Sequence, residues 1–323
     1  MIDTSWGSTH FERKEILSNM LKEAFRDELF IQQLAINWLP DWQGGKNLLI
    51  NSIGELTVDQ MSEGQALPDR RPDSGQYVFN INEFVGSKVA LTDEFFEDDY
   101  MAPQVMQALP ERMTRAFNEY LETRLFQLQR QQTSNDPNTI NGAYHRFTAN
   151  GASGQITLQD LAYVRYAFEK ANVPVSSIVG IVDPSFEFNT NIISNITSLD
   201  NNPTFNGIIE TGIGTGLRFL RNIYGINLFV SNYLDTITTA ETSLTDYQGN
   251  TTSGAVGYKA NLFFSTADKQ NLPFIGSWLR RPAMKSWRDE SKGIEYHQMS
   301  SRFGLNLYRP ENLVTMLSST TLS

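Results

Sequence analysis

Cysteine is absent from the 323-residue chain, which excludes disulfides, thiolate zinc sites and cysteine nucleophiles. Histidine is scarce: the chain has three, His10, His145 and His297, and no two are close enough in sequence to suggest a helical metal pair. Most familiar hydrolase and metalloenzyme signatures therefore lack the residues they require. We expect no catalytic residues, no cofactor and no bound metal ion.

Long apolar runs and excess positive charge are also missing. No stretch approaches the roughly 18 apolar residues of a membrane-spanning helix, and the first 15 residues lack the apolar core of a signal peptide. We therefore expect no membrane contact and synthesis in a cytoplasm. A net charge of -10 argues against general affinity for the nucleic-acid backbone, which needs a positive surface, although local basic patches remain possible.

The composition and length are those of a folded protein with a substantial core. Hydrophobic residues make up 40% of the chain, the mean hydropathy is -0.35, and the length suits one large domain or two ordinary ones. The longest helical pattern runs from Pro110 to Gln132, and its apolar residues recur at spacings of three and four: Met113, Phe117, Tyr120, Leu121, Leu125 and Leu128. With Pro110 as its first residue, this helix is about 33 Å long. It is either the central helix of a domain or an ordinary core helix.

A second helical pattern runs from Phe11 to Trp38 and ends before Pro40 and the glycine pair Gly44-Gly45. It precedes the body of the chain. The pattern predicts either an arm that packs on another molecule or the first helix of the same domain.

Residues Lys46 to Asp99 predict one long hairpin with a polar tip. In the returning strand Tyr77, Phe79 and Ile81 alternate with Val78, Asn80 and Asn82. A two-stranded hairpin is marginally stable in water, so either the rest of the chain or a neighbouring copy must cover it. The charged tip is either a polar contact across a subunit boundary or a solvated loop, and its residues are Asp69, Arg70, Arg71 and Asp73.

The acidic stretch that follows, Asp93 to Asp99, lacks the glycine and the alternation of a calcium loop. We interpret it as a solvated turn before the long helix.

A mixed α and β unit is predicted after Gly154. Thr157 and Asp160 have the spacing of a helix start, and residues 161–171 continue the helical pattern. The apolar run Ser177 to Val182 predicts a buried strand, followed by a helix opened by Asp183-Pro184, and Ile223 to Val230 predicts a further strand. Residues 236–257 are rich in Thr, Ser, Asp and Gly and predict an exposed loop.

Three glycines, Gly212, Gly214 and Gly216, precede Asp235 at about the distance expected in a dinucleotide-binding motif. The third glycine is one residue early, and the segment before the glycines is a poor buried strand. We therefore interpret the segment as a connection and not as a nucleotide site.

Towards the end of the chain, residues 274–319 return to long strands around a turn at Asp289 to Gly293. A local basic patch precedes this turn: Arg280, Arg281, Lys285 and Arg288. On so acidic a protein, its expected partners are carboxylates of the same or a neighbouring chain, with direct DNA contact as the less favoured alternative.

The order of these elements resembles that of the major capsid proteins of tailed bacteriophages, the Hong Kong 97-type fold that encapsulins also use. The likeness is greatest in Arg302 to Glu311, RFGLNLYRPE, with the apolar residues 313–317 after it, and in Ile178 to Pro184. It covers most of the chain after about Lys46, and the order of elements carries it more than any single motif.

This resemblance implies an α+β fold with four parts. They are an N-terminal arm at 1–45, an extended β-hairpin loop at 46–99, a peripheral domain with a long spine helix at 100–145 and 265–323, and an axial domain at 146–264. The extended loop would lie over an adjacent subunit, which would supply the missing cover. A helical arm differs from the plain extended arm of the family.

The function implied by the resemblance is self-assembly, as pentamers and hexamers, into an icosahedral head around double-stranded DNA that is enclosed and not specifically bound. The expected location is the virion, assembled in the host cytoplasm. The implied partners are further copies of the chain, a portal and decoration proteins. Because the chain begins at Met1 with no long charged leader, we expect a separate scaffolding protein. The alternatives are an encapsulin-like compartment and, with less support, a carboxylate-dependent hydrolase.

Overall fold

The structure is a computed structural model that describes residues 34–40, 47–53, 60, 63, 74–98, 102–131, 138–186, 219–241, 244–252 and 254–320. Several sequence predictions lie outside these ranges: the helix from Phe11 up to residue 33, the hairpin tip at 69–73, and the glycines at 212–216.

The N-terminal half contains a pair of strands, a long strand and two helices. In chain order they are β1 (Ile36–Trp38), β2 (Asn47–Ile53), β3 (Ser74–Asn80), β4 (Glu83–Thr92), α1 (Asp93–Asp98) and α2 (Ala102–Gln127). The short strands that follow are β5 (Thr139–Ile140), β6 (Ala143–Tyr144) and β7 (Arg146–Thr148). The mixture of helices and sheets confirms the predicted α+β class.

The C-terminal half adds one helix and the longest strands. In chain order they are α3 (Leu158–Lys170), β8 (Ile178–Val182), β9 (Phe219–Ile223), β10 (Ile226–Val230), β11 (Lys259–Ser265), β12 (Phe274–Asp289), β13 (Ile294–Leu307) and β14 (Val314–Ser318).

Two larger sheets and the hairpin organise these strands. One sheet has the order β1-β12-β13-β4, and the other has the order β7-β14-β11-β8-β10-β9. Strands β2 and β3 pair antiparallel from Asn47↔Asn80 to Ile53↔Ser74, which agrees with the pairing predicted from the sequence.

Two compact units can be distinguished. The first includes Ser87–Ala116 and Met284–Met299, and the second includes Asp27–Gly86, Phe117–Ala283 and Ser300–Ser323. The predicted division into arm, extended loop, peripheral domain and axial domain stays a prediction.

The main core of the second unit lies between helix α3 and the six-stranded sheet. Thr157 caps α3 through a capping box with Asp160, as predicted, and Leu161, Val164 and Phe168 point into the core. Strand β8 is buried along its whole length, which confirms the apolar run as a central strand.

Gly180 in β8 marks how closely this core is packed. A Cβ atom there would lie 2.7 Å from the Phe263 ring and 2.8 Å from the Leu228 side chain. A larger residue would therefore displace side chains from the core.

A second group of aromatic side chains in the same unit surrounds Phe117, in the middle of the long helix. Trp38 stacks on Trp278 at 4.9 Å between ring centres, and Trp278 lies 5.2 Å from Phe303. Phe117 of α2 contacts both Trp278 and Phe303 at 6.2 Å. These rings pack the helix onto the long strands, because large aromatic surfaces dominate the energetics of a core.

The first unit is held by charged and aromatic contacts around the β12–β13 turn. The Lys88 ammonium lies 3.8 Å from the Tyr296 ring centre, and Tyr296 stacks on Trp287 at 5.4 Å. The Asp93 N–H donates to the Gly293 carbonyl, and Ser286 Oγ lies 2.8 Å from His297 Nδ1. The turn therefore has polar contacts on both of its strands.

Several sequence predictions are wrong in detail. The long helix begins at Ala102, eight residues before Pro110, so the proline sits inside the helix instead of opening it. Residues Ile36–Trp38 form a strand paired in parallel with β12, whereas the sequence predicted helix to Trp38. The acidic stretch forms the short helix α1 instead of a turn.

Two further corrections concern the mixed unit. The predicted strand Ile223 to Val230 is confirmed from Ile226 onwards as β10, but Tyr224 and Gly225 have positive φ, 54° and 79°, and make a tight turn between β9 and β10. The predicted exposed loop 236–257 has a buried side: Ile237, Leu244 and Ala255 form a cluster with Ala260 and Leu317.

That loop is anchored by a buried ion pair. The Arg146 guanidinium on β7 donates through Nη1 and Nη2 to the two carboxylate oxygens of Glu241, and Arg146 is fully buried. An ion pair that is bidentate and buried holds its two segments in one geometry.

Candidate functional site

Hairpin β2–β3 has two unlike faces at its base. On one face Phe79 and Ile81 are fully buried, with Leu48, Ile50 and Tyr77 partly buried beside them. This face packs against a mixed set from the rest of the unit: Leu39, Ile275, Leu279 and Tyr308. Cross-strand partners on this face, Leu48↔Phe79 and Ile50↔Tyr77, place their side chains together. The chain itself therefore covers one side of the hairpin.

Polar and steric contacts fix this base. The Tyr77 hydroxyl donates to the Leu307 carbonyl at 2.9 Å, and its ring meets Tyr308 edge-on at 5.2 Å. Burial raises the pKa of Tyr77, so the phenol remains a donor at neutral pH. Gly304 allows the close approach, since a Cβ atom there would lie 2.5 Å from the Asn80 carbonyl oxygen.

The other face of the hairpin is apolar and open to water. Leu49 and Val78 are directly opposite each other, and they are 54% and 43% exposed. The next pair is polar, with Gln76 Nε2 donating to Asn51 Oδ1 at 3.2 Å. A directly paired leucine and valine on an exposed sheet face form a small apolar surface that a partner can cover.

The strand after the hairpin is tied to the long helix. Glu83 accepts from Arg124 Nε at 2.8 Å and from the Tyr120 hydroxyl at 3.3 Å. Burial and the neighbouring Glu83 carboxylate raise the pKa of Tyr120. The sequence placed Tyr120 in the buried stripe of the helix, but its ring is 42% exposed because its hydroxyl reaches Glu83. The other five members of that stripe are buried.

The residue after Glu83 is the most exposed large apolar side chain among the described residues. Phe84 is 67% exposed, and it points to the opposite face of the strand from Glu83 because side chains alternate along a strand. Arg280 covers part of the ring, with its guanidinium 5.3 Å from the ring centre, and donates to Ser300 Oγ at 2.9 Å. Such a contact orients the arginine and leaves much of the ring in water.

Phe84 and Arg280 line a groove of about 660 Å³. We call it the Phe84 groove, and its described lining residues are Ile81, Asn82, Phe84, Leu279, Arg280 and Arg302. Half of these residues are apolar, the charged ones are two arginines, and the described residues of the lining include no acid.

The four basic residues predicted as contact candidates all lie on β12, two in each unit. Arg280 and Arg281 belong to the second unit and Lys285 and Arg288 to the first, and all four are exposed. Arg288 has carboxylate partners in its own chain, Asp93 at 3.1 Å and Glu290 at 3.0 Å. The other four candidates, Asp69, Arg70, Arg71 and Asp73, lie outside the described residues. A role in subunit contact stays a prediction for all eight.

Sequence reasoning missed Leu49, Val78 and Phe84. A signal was present for Phe84, because it is an apolar residue out of phase with the alternation set by Phe79, Ile81 and Val85. For Leu49 and Val78 the sequence showed apolar residues on both faces of the hairpin, without indicating which face the chain covers.

Asp235, the acid considered for a nucleotide site, has another role. It accepts from Arg130 Nε at 2.6 Å and Nη2 at 2.8 Å, and from Gln129 Nε2 at 3.0 Å. The hydrogen bond with Asp235 raises the pKa of Arg130. The Asp235 carboxylate therefore fixes the end of the long helix.

The described residues contain neither a candidate metal cluster nor a candidate membrane span. Within those ranges, no group of three His, Asp or Glu side chains is placed to hold a metal ion. No helix in the described part of the chain has the length and apolar character needed to cross a membrane.

Comparison with known proteins gives a family match. A family model described as phage capsid protein matches residues 76–315. No curated protein sequence matches the chain.

Solved phage capsids share the fold over nearly their whole length. A structure of Mycobacterium phage Che8 is 16% identical, with a TM-score of 0.64 over 95% of this chain and 97% of that one. The capsid of cyanophage Pam1 is 12% identical, with a TM-score of 0.67 over 98% of each chain. The mature capsid of bacteriophage PhiM1 is 12% identical, with a TM-score of 0.63 over 94% and 91%. At such low identity, the likeness shows the fold.

Proposed function

This chain belongs to the phage capsid protein family, and we propose that its copies assemble as pentamers and hexamers into an icosahedral head that encloses double-stranded DNA. The expected capsid fold is confirmed, and the family is one of structural proteins. The assembly itself is the proposal.

The observation that carries this proposal is the two-faced hairpin. Its inner face is fixed by Phe79, by the Tyr77 hydroxyl and by the close approach at Gly304, whereas Leu49 and Val78 on its outer face remain exposed. A rigidly based hairpin with an open apolar face is well suited to lie on a neighbouring copy. Association would supply the cover that two strands alone lack.

The proposed roles of the four parts of the chain follow the order of elements in the family. Residues 46–99 act as the extended loop, 100–145 with 265–323 as the peripheral domain, 146–264 as the axial domain at the centre of each ring, and 1–45 as the arm. Subunit contacts are proposed for both predicted charged groups: Asp69, Arg70, Arg71 and Asp73 at the tip, and Arg280, Arg281, Lys285 and Arg288 on β12. Opposite charges across such contacts would select the correct register between copies.

The proposed partners are a separate scaffolding protein, a portal and decoration proteins, and assembly takes place in the cytoplasm of the bacterial host. The net charge of -10 suits a wall that encloses DNA without binding it tightly, because the DNA backbone is repelled by a negative surface. We propose no catalytic activity. The family match favours a phage head over the encapsulin-like alternative, and DNA inside purified particles would distinguish the two.

Electron microscopy of the chain co-expressed with the proposed scaffolding protein tests the proposal. We expect closed shells or capsomer rings, with a mass by light scattering far above the 36.6 kDa of one chain. A chain that stays monomeric with its scaffolding partner would contradict the proposal.

A further inference from the structure

We infer that the Phe84 groove is the docking surface for residues 54–68 of a second copy of this chain, the acidic first half of the segment that joins β2 to β3. The inference rests on the proposed function, since it names the surface that receives the hairpin. The segment that contacts the Phe84 groove is therefore 54–68 and not the charged tip at 69–73.

The groove combines apolar and cationic side chains. Ile81, Leu279 and Phe84 are its apolar lining residues, and Arg280 and Arg302 supply the charge. Arg280 is held between the Phe84 ring and Ser300 Oγ, so its charge is placed before any partner arrives. Preorganised charge of this kind lowers the ordering cost of binding.

Residues 54–68 have the complementary chemistry. The segment GELTVDQMSEGQALP contains three acids, Glu55, Asp59 and Glu63, and no lysine or arginine. An extended backbone would place Met61 on the same face as Glu55, Asp59 and Glu63, with Leu56 and Val58 on the opposite face. Met61 can contact the apolar lining of the groove while the carboxylates on its face meet the two arginines.

Other charged segments of the chain fit the groove less well. The tip at 69–73 has two acids and two arginines, which cancel. Helix α1 is acidic, but its Asp93 already accepts from Arg288. Charge complementarity therefore favours residues 54–68.

The geometry of the hairpin favours a second copy over the same chain. The groove residues Ile81 to Phe84 follow β3 directly and lie at the base of the hairpin, whereas residues 54–73 continue from its far end, beyond seven cross-strand pairs. Six steps along an antiparallel strand cover about 20 Å, so the far end of the hairpin lies about that far from its base. A connection of 20 residues, the length of 54–73, spans at most roughly 30 Å outward when it also has to return.

The absence of cysteine makes a disulfide test specific. We would introduce Asn82→Cys on the groove and Asp59→Cys on the segment in one chain, assemble it with its scaffolding protein, and oxidise it with copper phenanthroline. Non-reducing denaturing gels should show a ladder of covalent multimers. Each single variant and the pair Asn82→Cys with Ala162→Cys, whose second site is exposed on α3, should show at most a small fraction of this product.

The outcomes separate the inference from the proposed function. Shells that form without the ladder would overturn the groove and leave the capsid assignment intact. A cross-linked product that migrates as a compact monomer would show that the segment occupies its own groove, which also overturns the inference. Absence of any assembly, with the fold intact by circular dichroism, would overturn both.

A charge exchange provides a second test. Arg280→Glu with Arg302→Glu should reduce the yield of assembled particles at least tenfold, and adding Asp59→Arg with Glu63→Arg should restore most of it. Equal loss in the exchanged variant and in the groove variant would contradict the pairing.

Discussion

The six-stranded sheet and the hairpin differ in how completely a single chain buries their apolar side chains. Strand β8 of the sheet is buried along its length between neighbouring strands and helix α3, so this region is complete within one chain. The hairpin is buried on one face only, and its outer face keeps Leu49 and Val78 in water. Changes in the sheet should therefore affect folding, and changes on the outer hairpin face should affect association while leaving the fold intact.

The largest loss of stability is expected from breaking the buried ion pair beside the sheet. Glu241→Ala leaves the buried Arg146 guanidinium without its bidentate partner, and we expect a loss of about 3–5 kcal/mol in the free energy of unfolding. Urea denaturation of unassembled subunits measures it. The double variant Arg146→Met with Glu241→Leu should recover much of the loss, and a double variant as unstable as Glu241→Ala would contradict this explanation.

A smaller loss is expected where the hairpin meets the long strand. Gly304→Ala places a Cβ atom 2.5 Å from the Asn80 carbonyl unless the backbone shifts, and we expect destabilisation of roughly 1–3 kcal/mol. Because the shift moves the hairpin base, assembly should fall as well. A loss below about 0.5 kcal/mol, as at an ordinary surface position, would contradict the close approach.

A pH-dependent contribution is expected from the sheet. Burial lowers the pKa of His145 in the folded chain. In the unfolded chain His145 takes up a proton near the ordinary pKa of 6.5, whereas the folded chain takes up this proton only at a lower pH. Stability from this residue is present above the unfolded pKa and is lost as the pH falls below it. Wild-type subunits should lose more stability between pH 7.5 and pH 5.5 than His145→Gln subunits. Parallel pH profiles for the two would contradict the assignment.

The smallest change in stability is expected on the outer hairpin face. Leu49→Ser with Val78→Ser removes exposed apolar side chains, and the free energy of unfolding should change by less than about 0.5 kcal/mol per site. Assembly, followed by sedimentation of particles, should nevertheless drop strongly. Assembly at the wild-type level would show that this face has no partner.

What the sequence predicted well was local. The capping box of Thr157 and Asp160, the apolar run of β8 and the turn between β12 and β13 each depend on residues close together in the chain. Each of these signals can be read from a short stretch of neighbouring residues.

What it missed depends on residues far apart in the chain. Arg146 and Glu241 are 95 residues apart, and their pairing gives the loop 236–257 a buried side that its polar composition concealed. The contact of Tyr120 with Glu83 spans 37 residues and explains why a tyrosine in the helical stripe is exposed. The candidate surface was missed for the same reason, since the cover of one hairpin face comes from β12 and Tyr308.

The most direct measurement of the central claim is the mass of assembled material for the wild type and for a variant in which residues 54–73 are replaced by a short Asn-Gly turn. Both chains would be co-expressed with the scaffolding protein, sized by light scattering, and compared by circular dichroism. We expect the wild type to form closed shells. The variant should remain as unassembled subunits whose helix and strand content equals that of the wild type. Shells of normal size from the shortened variant would contradict the central claim.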